Sequence, residues 1–94
     1  MPLEFDGVNG IIKNTTSDGD VTIKGNDGGS EISALVFDMS DAGTATFNHD
    51  VKLGDNSKAL FGDDSDFEIY HSGTSSIIRE ASAGNLTLAG NDVQ

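Results

Sequence analysis

The sequence predicts an all-β protein made of short strands joined by glycine-rich turns. Two stretches of turn residues, Gly54-Asp55-Asn56-Ser57 and Gly62-Asp63-Asp64-Ser65, divide the middle of the chain. Glycine adopts positive φ at such places, while Asp, Asn and Ser side chains bond their own backbone. Around these turns, apolar and polar residues alternate with the two-residue period of a strand. No segment shows a sustained helical period with capping residues.

For residues 3–30, the sequence predicts little regular structure. Leu3 to Ile12 mixes apolar residues with two glycines and is predicted to be a loosely extended segment. Asn14 to Asp18 follows as a polar turn. Val21-Thr22-Ile23 is predicted to be a short strand, closed by the turn Gly25–Ser30.

The most apolar stretch of the chain runs from Ile32 to Met39. Such a run is typical either of a strand buried on both faces or of part of a buried helix. Its brevity and the following turn Ser40–Gly43 favour a strand. Simple alternation then places two apolar sets on opposite faces, namely Ile32, Ala34 and Val36 against Leu35, Phe37 and Met39.

Four further strands complete the predicted order: Thr44–Phe47, Val51–Leu53, Lys58–Phe61 and Asp66–His71. In Thr44–Phe47, Ala45 and Phe47 share a face. In Asp66–His71, Phe67 and Ile69 share one face, and the other face carries Asp66, Glu68 and Tyr70. Ile77 to Ala81 has room for a single helical turn.

The segment from Val51 to Ile78, VKLGDNSKALFGDDSDFEIYHSGTSSII, resembles one that recurs in tail-fibre and other virion structural proteins of tailed phages, notably phages of marine cyanobacteria. Ser33 to Val51 resembles the module that commonly precedes it there. The resemblance implies an intertwined homotrimeric shaft that links the particle to a distal host-recognition tip. It also implies contacts with other tail or capsid proteins, location in the virion, and a downstream region that meets a host surface glycan.

An internal sequence repeat, called the echo below, favours an elongated, repeating shaft. Ser17–Asp27 and Ser82–Asp92 align without gaps, and by count six of eleven positions are identical. We therefore expect residues 1–30 to form an N-terminal anchor segment with the first repeat. Residues 31–94 are expected to form a β-rich fibre module with the second repeat. Met1 is interpreted as a true start, and Val93-Gln94 as the beginning of another strand in a chain that continues past Gln94.

Composition excludes several classes of protein. The formal net charge is −11, from 16 acidic and 5 basic residues, and would repel nucleic acid and anionic membranes. There is no cysteine, no signal-peptide pattern and no apolar run of membrane-spanning length. Twelve glycines raise the entropic cost of ordering the chain. We therefore expect partner copies, which together would bury Phe37, Phe47, Leu60, Phe61, Phe67, Ile69 and Ile77.

The alternative interpretation is a calcium-dependent secreted β-roll or adhesin module. Asp18-Gly19-Asp20 and Asp63–Asp66 offer oxygen ligands, but neither has the spacing of an EF-hand loop. Gly25–Gly29 resembles the nonapeptide of calcium β-rolls, whose repeats recur every nine residues. Here the echo recurs only after 65 residues, so no metal or cofactor is predicted.

No residues are predicted to be catalytic, and the chain is not expected to be an enzyme. His49 and His71 are the two histidines, and a three-fold axis would triplicate either of them. Ser, His and Asp occur without a nucleophile elbow. A third interpretation, a carbohydrate-binding module, would use Tyr70 with Phe67 as a platform on which a sugar ring stacks.

Overall fold

The computed structural model describes residues 1–93 and confirms the all-β class. Within that range the chain forms eight strands and one short 3-10 turn. The strands are β1 (Leu3–Asp6), β2 (Ile11–Asn14), β3 (Val21–Asp27), β4 (Ser30–Asp38), β5 (Thr44–Phe47), β6 (Lys58–Phe61), β7 (Phe67–His71) and β8 (Ser76–Glu80), and the 3-10 turn is Met39–Asp41.

The chain divides into two compact units. The first, Met1–Val51, contains the β1–β2 hairpin and a three-stranded sheet in the order β3-β4-β5. The second begins at Lys52 and contains a sheet in the order β6-β7-β8. Every paired strand is antiparallel to its sequence neighbour. The β3–β4 hairpin crosses the predicted boundary between residues 30 and 31.

The prediction of a loosely extended segment from Leu3 to Ile12 is wrong, because this segment supplies β1 and the start of β2. Phe5 lies opposite Ile12 in the ladder. The Asp6 carboxylate holds the turn by accepting hydrogen bonds from the backbone N–H groups of Val8 (3.1 Å) and Asn9 (3.2 Å). The carboxylate thus supplies an acceptor for backbone N–H groups that a tight turn leaves without a backbone partner.

The turn between β3 and β4 is shorter than predicted. Gly28 and Gly29 alone form it, with φ values of +62° and +100°, as a two-residue type I′ hairpin turn requires. The Asn26 side chain accepts a hydrogen bond from the Gly29 N–H at 2.7 Å. Residues 25–27, predicted to belong to the turn, therefore continue β3 and pair with β4.

A β-bulge at Ala34 corrects the predicted faces of β4. Leu35 lies opposite Ile23, but Ser33 lies opposite Lys24, so Ala34 is an extra residue without a partner in the β3 ladder. The bulge reverses the alternation on its N-terminal side. Ile32 consequently shares a face with Leu35 and Phe37, and the prediction that it lies on the opposite face is wrong.

Three other local predictions differ from the structure. Val51–Leu53 forms no strand, since no other strand pairs with it. Ile77 and its neighbours form β8 and not a helical turn, because β7 offers a partner along its whole length. Met39 begins the 3-10 turn and does not extend β4. The further strand predicted to begin with Val93-Gln94 extends outside the described residues, of which Val93 is the last and belongs to no strand.

None of the residues 1–93 is buried in the single chain. Of the residues predicted to be buried, Phe37, Phe67 and Ile77 are half-buried. Four others remain exposed, namely Phe47, Leu60, Phe61 and Ile69. No helix in the described range is long and apolar enough to cross a membrane. Each unit is thus a set of hydrogen-bonded strands without an enclosed core.

Candidate interaction surface

The β3–β4–β5 sheet gathers its large apolar side chains on one side. Residues that lie directly opposite each other in an antiparallel ladder share a face. The register aligns Val21 with Phe37 and Ala45, and Ile23 with Leu35 and Phe47. The bulge adds Ile32. We call the resulting set the apolar face: Val21, Ile23, Ile32, Leu35, Phe37, Ala45 and Phe47.

The apolar face is open to solvent in the single chain. Ile23 is 53% exposed and Phe47 is 47% exposed, whereas such side chains are usually enclosed in a folded protein. The opposite side of the sheet is more polar, since Thr22 and Thr46 flank Val36 at its centre and Lys24 follows Thr22 on the same face of β3. An ion pair lies on that polar side, between Lys24 Nζ and Glu31 Oε1 at 3.3 Å.

A groove of about 400 Å³ lies beside this sheet. The β1–β2 hairpin forms one wall with Leu3, Phe5 and Ile12, which share a face in the hairpin register. The sheet forms the other wall, mainly with Val21, Ile23, Phe37 and Met39. The groove continues the apolar face, so a single partner could cover both.

Asn14 joins the hairpin to the sheet. Its side-chain amide donates to the backbone carbonyl of Asp20 at 2.8 Å, just before β3. Its oxygen accepts from the Thr16 N–H at 3.0 Å. The Asp20 carboxylate in turn accepts from the Met39 N–H at 3.2 Å. A Cβ at Gly19 would approach Asn14 Nδ2 to 2.6 Å, so a glycine is needed there.

Sequence reasoning missed the contribution of the hairpin to this surface. The signal was present, because Leu3 and Phe5 alternate with Glu4 and Asp6 on either side of a glycine-bounded turn. The two glycines suggested an irregular segment instead. They occupy the four-residue turn 7–10, where Gly10 has φ +67°.

The β6–β7–β8 sheet places a charged cluster on one face. Glu68, on the central strand, is only 12% exposed at its side chain and accepts a hydrogen bond from Lys58 Nζ at 3.2 Å. Arg79 Nη1 lies 3.9 Å from the other carboxylate oxygen, which has no hydrogen-bond partner. Opposite strands thus supply one cation each to a shielded carboxylate.

The predicted sugar-stacking pair is not brought together. The register places Tyr70 opposite Lys58 and Ile77, and Phe67 opposite Phe61, so the two rings lie on opposite faces of the sheet. Lys58 Nζ lies 4.7 Å from the centre of the Tyr70 ring, as in a cation–π contact. Phe67 packs instead against Phe61, with ring centres 5.5 Å apart.

The two histidines lie in separate units. His49 Nδ1 is 3.3 Å from the Asp50 carboxylate, and both side chains are exposed. His71 lies on the face of Phe67 and Ile69, as predicted, and its Nδ1 is 3.1 Å from Ser76 Oγ. Among residues 1–93, neither histidine lies in a cluster of further metal ligands.

Within residues 1–93, no group of three or more His, Asp and Glu side chains is arranged to hold a metal ion. In the Asp18–Asp20 turn, the Asp20 carboxylate already accepts a backbone hydrogen bond. Asp66 meets Ala81 through its backbone carbonyl, at 2.6 Å from the Ala81 nitrogen. Both segments are therefore held by hydrogen bonds to residues distant in sequence.

Among the sites described above, the apolar face with its adjoining groove is the strongest candidate for a functional surface. The Tyr70 and Phe67 rings lie apart, and the histidines and Asp-rich turns form no ligand cluster in the described residues. Comparisons of the chain with known proteins find no matching family model, no matching curated protein and no matching solved structure.

Proposed function

We propose that the chain is a structural protein of a phage virion, a tail fibre or related fibre, that links the particle to a distal host-recognition tip. It acts without catalysis, as an intertwined homotrimeric shaft that docks on other tail or capsid proteins. The order of strands and turns from Ser33 to Ile78, which resembles fibre proteins, supports this role. The observation that carries the proposal is the absence of a buried residue in the described chain.

The accessible surface supports an obligate assembly. The chain exposes 7627 Å², whereas a compact monomer of 9.8 kDa would expose about 5,200 Å². Even two separate compact bodies of half that mass would together expose about 6,200 Å². The excess of roughly 1,400–2,400 Å² exceeds the ~800 Å² that each partner buries in a standard interface. Stable folding therefore calls for partners that cover the apolar face.

Identical copies suit this role better than nucleic acid or a membrane. The net charge of −11 would oppose contact with either of those partners. In a trimer, the apolar faces turn inward and the acidic turns stay in water, where they keep the assembly soluble. Repetition of the tip in triplicate would let weak contacts with a host glycan gain avidity.

Mass in solution tests the assembly. Light scattering coupled to size exclusion should give three times the chain mass of 9.8 kDa at micromolar concentration, and small-angle scattering should give an elongated particle. A folded monomer would refute the proposal. Chelator should leave the melting temperature unchanged, whereas a loss that calcium restores would favour the β-roll interpretation.

Location in the virion needs a separate experiment. Antibodies raised against the purified chain should label the tail or its fibres in electron micrographs of phage particles that contain the protein. If the protein is a trimer but the antibodies do not label the particles, the proposed assembly stands and the proposed role in the virion is wrong.

A further inference from the structure

Residues 82–92 repeat the sequence of residues 17–27, but the two copies differ in structure. In the first copy, Val21–Asp27 forms β3 and pairs with β4 along its whole length. In the second copy, residues 85–89 belong to no strand. Leu86, Thr87 and Leu88 stand at the positions of Val21, Thr22 and Ile23. A segment with the pattern of a strand therefore lacks a partner strand.

Residues 85–89 have backbone groups without backbone hydrogen-bond partners in the described structure, and their leucine side chains are exposed. Among the described residues, no backbone hydrogen bond involves residues 85–89. Leu88 is 71% exposed and Leu86 is 46% exposed. Pairing with a sheet edge would satisfy alternate N–H and C=O groups and would place both leucines on one face.

We propose that residues 85–89 of one chain add as a fourth strand to the free edge of β5 in a second copy of the chain. β5 pairs only with β4, so its other edge is open within its sheet. Strand addition to such an edge is a common mode of recognition, because backbone hydrogen bonds form along its length. At four residues, β5 matches the length of the segment Leu86–Ala89.

The side chains fit this edge. Ala45 and Phe47 of β5 belong to the apolar face, and an added strand would set Leu86 and Leu88 beside them. The apolar face would thus extend by one strand without a polar interruption. The other end of the sheet, β3, is less available, since the β1–β2 hairpin walls the groove beside Val21 and Ile23.

The choice of a second copy follows from the surface excess and rests on the proposed oligomer. In this contact each chain gives its residues 85–89 to one copy and receives the same segment of another copy at β5. This contact joins two different surfaces, so repeated use either closes a ring or grows a filament. Three copies that each give and receive one strand close such a ring, in agreement with a homotrimer.

Cysteine cross-linking tests the contact directly, because the chain contains no cysteine. Thr46 lies on the side of β5 away from Ala45 and Phe47, and Thr87 alternates with the two leucines, so both threonines would share a face. Thr46→Cys and Thr87→Cys are made in separate chains and mixed under unfolding and refolding conditions, followed by mild oxidation. We expect a disulfide-linked dimer of the two variants, since cross-strand neighbours reach disulfide distance.

The matched control is Leu60→Cys, on the free edge of β6. It should form at least about tenfold less cross-linked dimer with Thr87→Cys. Equal or greater yield with Leu60→Cys overturns the choice of β5. If the double variant Thr46→Cys/Thr87→Cys gives only a fast-migrating monomer, the strand pairs within its own chain and the proposal is wrong. If the protein is a trimer but Thr46→Cys and Thr87→Cys do not cross-link, this contact is wrong and the proposed function stands. If the protein is a monomer, the proposed function is wrong as well.

Two proline variants test whether backbone pairing matters. Thr87→Pro and Leu88→Pro each remove one N–H group, and because only alternate N–H groups of an edge strand point at its neighbour, one of the two variants breaks a ladder bond. Both leave the three described sheets unaltered because residues 87 and 88 belong to none of them. Hydrogen exchange in the assembled wild-type protein should protect alternate amides of residues 86–89 at least tenfold relative to the same amides in Thr87→Pro or in Leu88→Pro. Full exchange of that segment in wild-type assemblies would overturn the proposal.

Discussion

The two three-stranded sheets have the same antiparallel meander order and use their faces differently. The sheet β3–β4–β5 puts its ion pair at the end of a hairpin, where the Lys24 and Glu31 side chains are 55% and 70% exposed. The sheet β6–β7–β8 puts Glu68 at its centre and shields it with Lys58 and Arg79. The first sheet thus leaves an apolar side for a partner. The second sheet carries charged side chains on one side, and its other side is apolar, with Phe61, Phe67, Ile69 and Ile78.

Both sheets thus offer an apolar side, but only that of the first sheet continues into the groove beside the β1–β2 hairpin. An uninterrupted apolar face gains free energy in proportion to the area that a partner covers. A face that carries ionised groups must first lose their hydration, which offsets much of the gain. We therefore expect the apolar face to dominate the stability of the assembly, and the charged cluster to stabilise its own sheet.

The largest expected effect comes from Phe37→Ala. Phe37 lies on the central strand of the apolar face and also lines the groove. If copies cover the ring, its removal should cost about 3–5 kcal/mol per chain and shift the assembly toward smaller species. Chemical denaturation and light scattering at several concentrations measure the two effects.

The control for that variant is Thr46→Ala, on the polar side of the same sheet. It should change stability by no more than about 0.5 kcal/mol and should leave the mass in solution unchanged. Equal losses from both variants would mean that the two sides of the sheet do not differ as proposed.

The charged cluster gives the next effect. Glu68→Gln removes the carboxylate that Lys58 and Arg79 share, and we expect a loss of about 1–2 kcal/mol in the free energy of unfolding. The matched variant in the other sheet, Glu31→Gln, breaks an exposed pair and should cost less than about 0.5 kcal/mol. Urea denaturation of the two variants measures whether the shielded Glu68 cluster contributes more to the free energy of unfolding than the exposed Lys24–Glu31 pair. A larger loss for Glu31→Gln would reverse the comparison.

A smaller effect is expected at the turn that closes the first sheet. Gly29→Ala forces a Cβ into a residue with φ +100° and should cost about 1 kcal/mol. Gly28→Asn should be nearly neutral, because asparagine accepts positive φ at the first position of a type I′ turn. Thermal unfolding of both variants measures the difference. A neutral Gly29→Ala would argue against the two-residue turn.

Two of the three strands of the second sheet were predicted closely, and β8 was not. Lys58–Phe61 was predicted with the bounds that β6 has, and Asp66–His71 differs from β7 by one residue. Both are bounded by turn residues and alternate between faces, so local information suffices. Thr44–Phe47 was likewise predicted with the bounds of β5.

The remaining elements depend on contacts that are distant in sequence. Val51–Leu53 has the composition of a strand but no partner strand. The bulge at Ala34 is set by the register against β3, which no local pattern reveals. Without the bulge, Ile32 was predicted on the wrong face, and the single apolar face was read as two. The sequence therefore identified Phe37 and Phe47 of the candidate surface, but not the single face that they share with Val21 and Ile23 or the wall that the hairpin adds.

The smallest effect concerns pH and the β1–β2 hairpin. Hydrogen bonds from the Asn9 side chain, the Asn9 N–H and the Val8 N–H lower the pKa of the Asp6 carboxyl below its ordinary value of 3.8. Because these donors bind the charged form, the hairpin turn is stabilised fully above that ordinary value and loses this contribution as pH falls through the lowered pKa. In an NMR titration, the Val8 and Asn9 amides should shift with a midpoint below 3.8, while those of β4 stay constant. Asn9→Ala should raise the midpoint, because the side-chain donor has the largest share in lowering it. A midpoint at or above the ordinary value in the wild-type chain would mean that the carboxylate does not hold the turn. The hairpin wall of the groove would then have to be kept in place by Asn14 and its bond to Asp20.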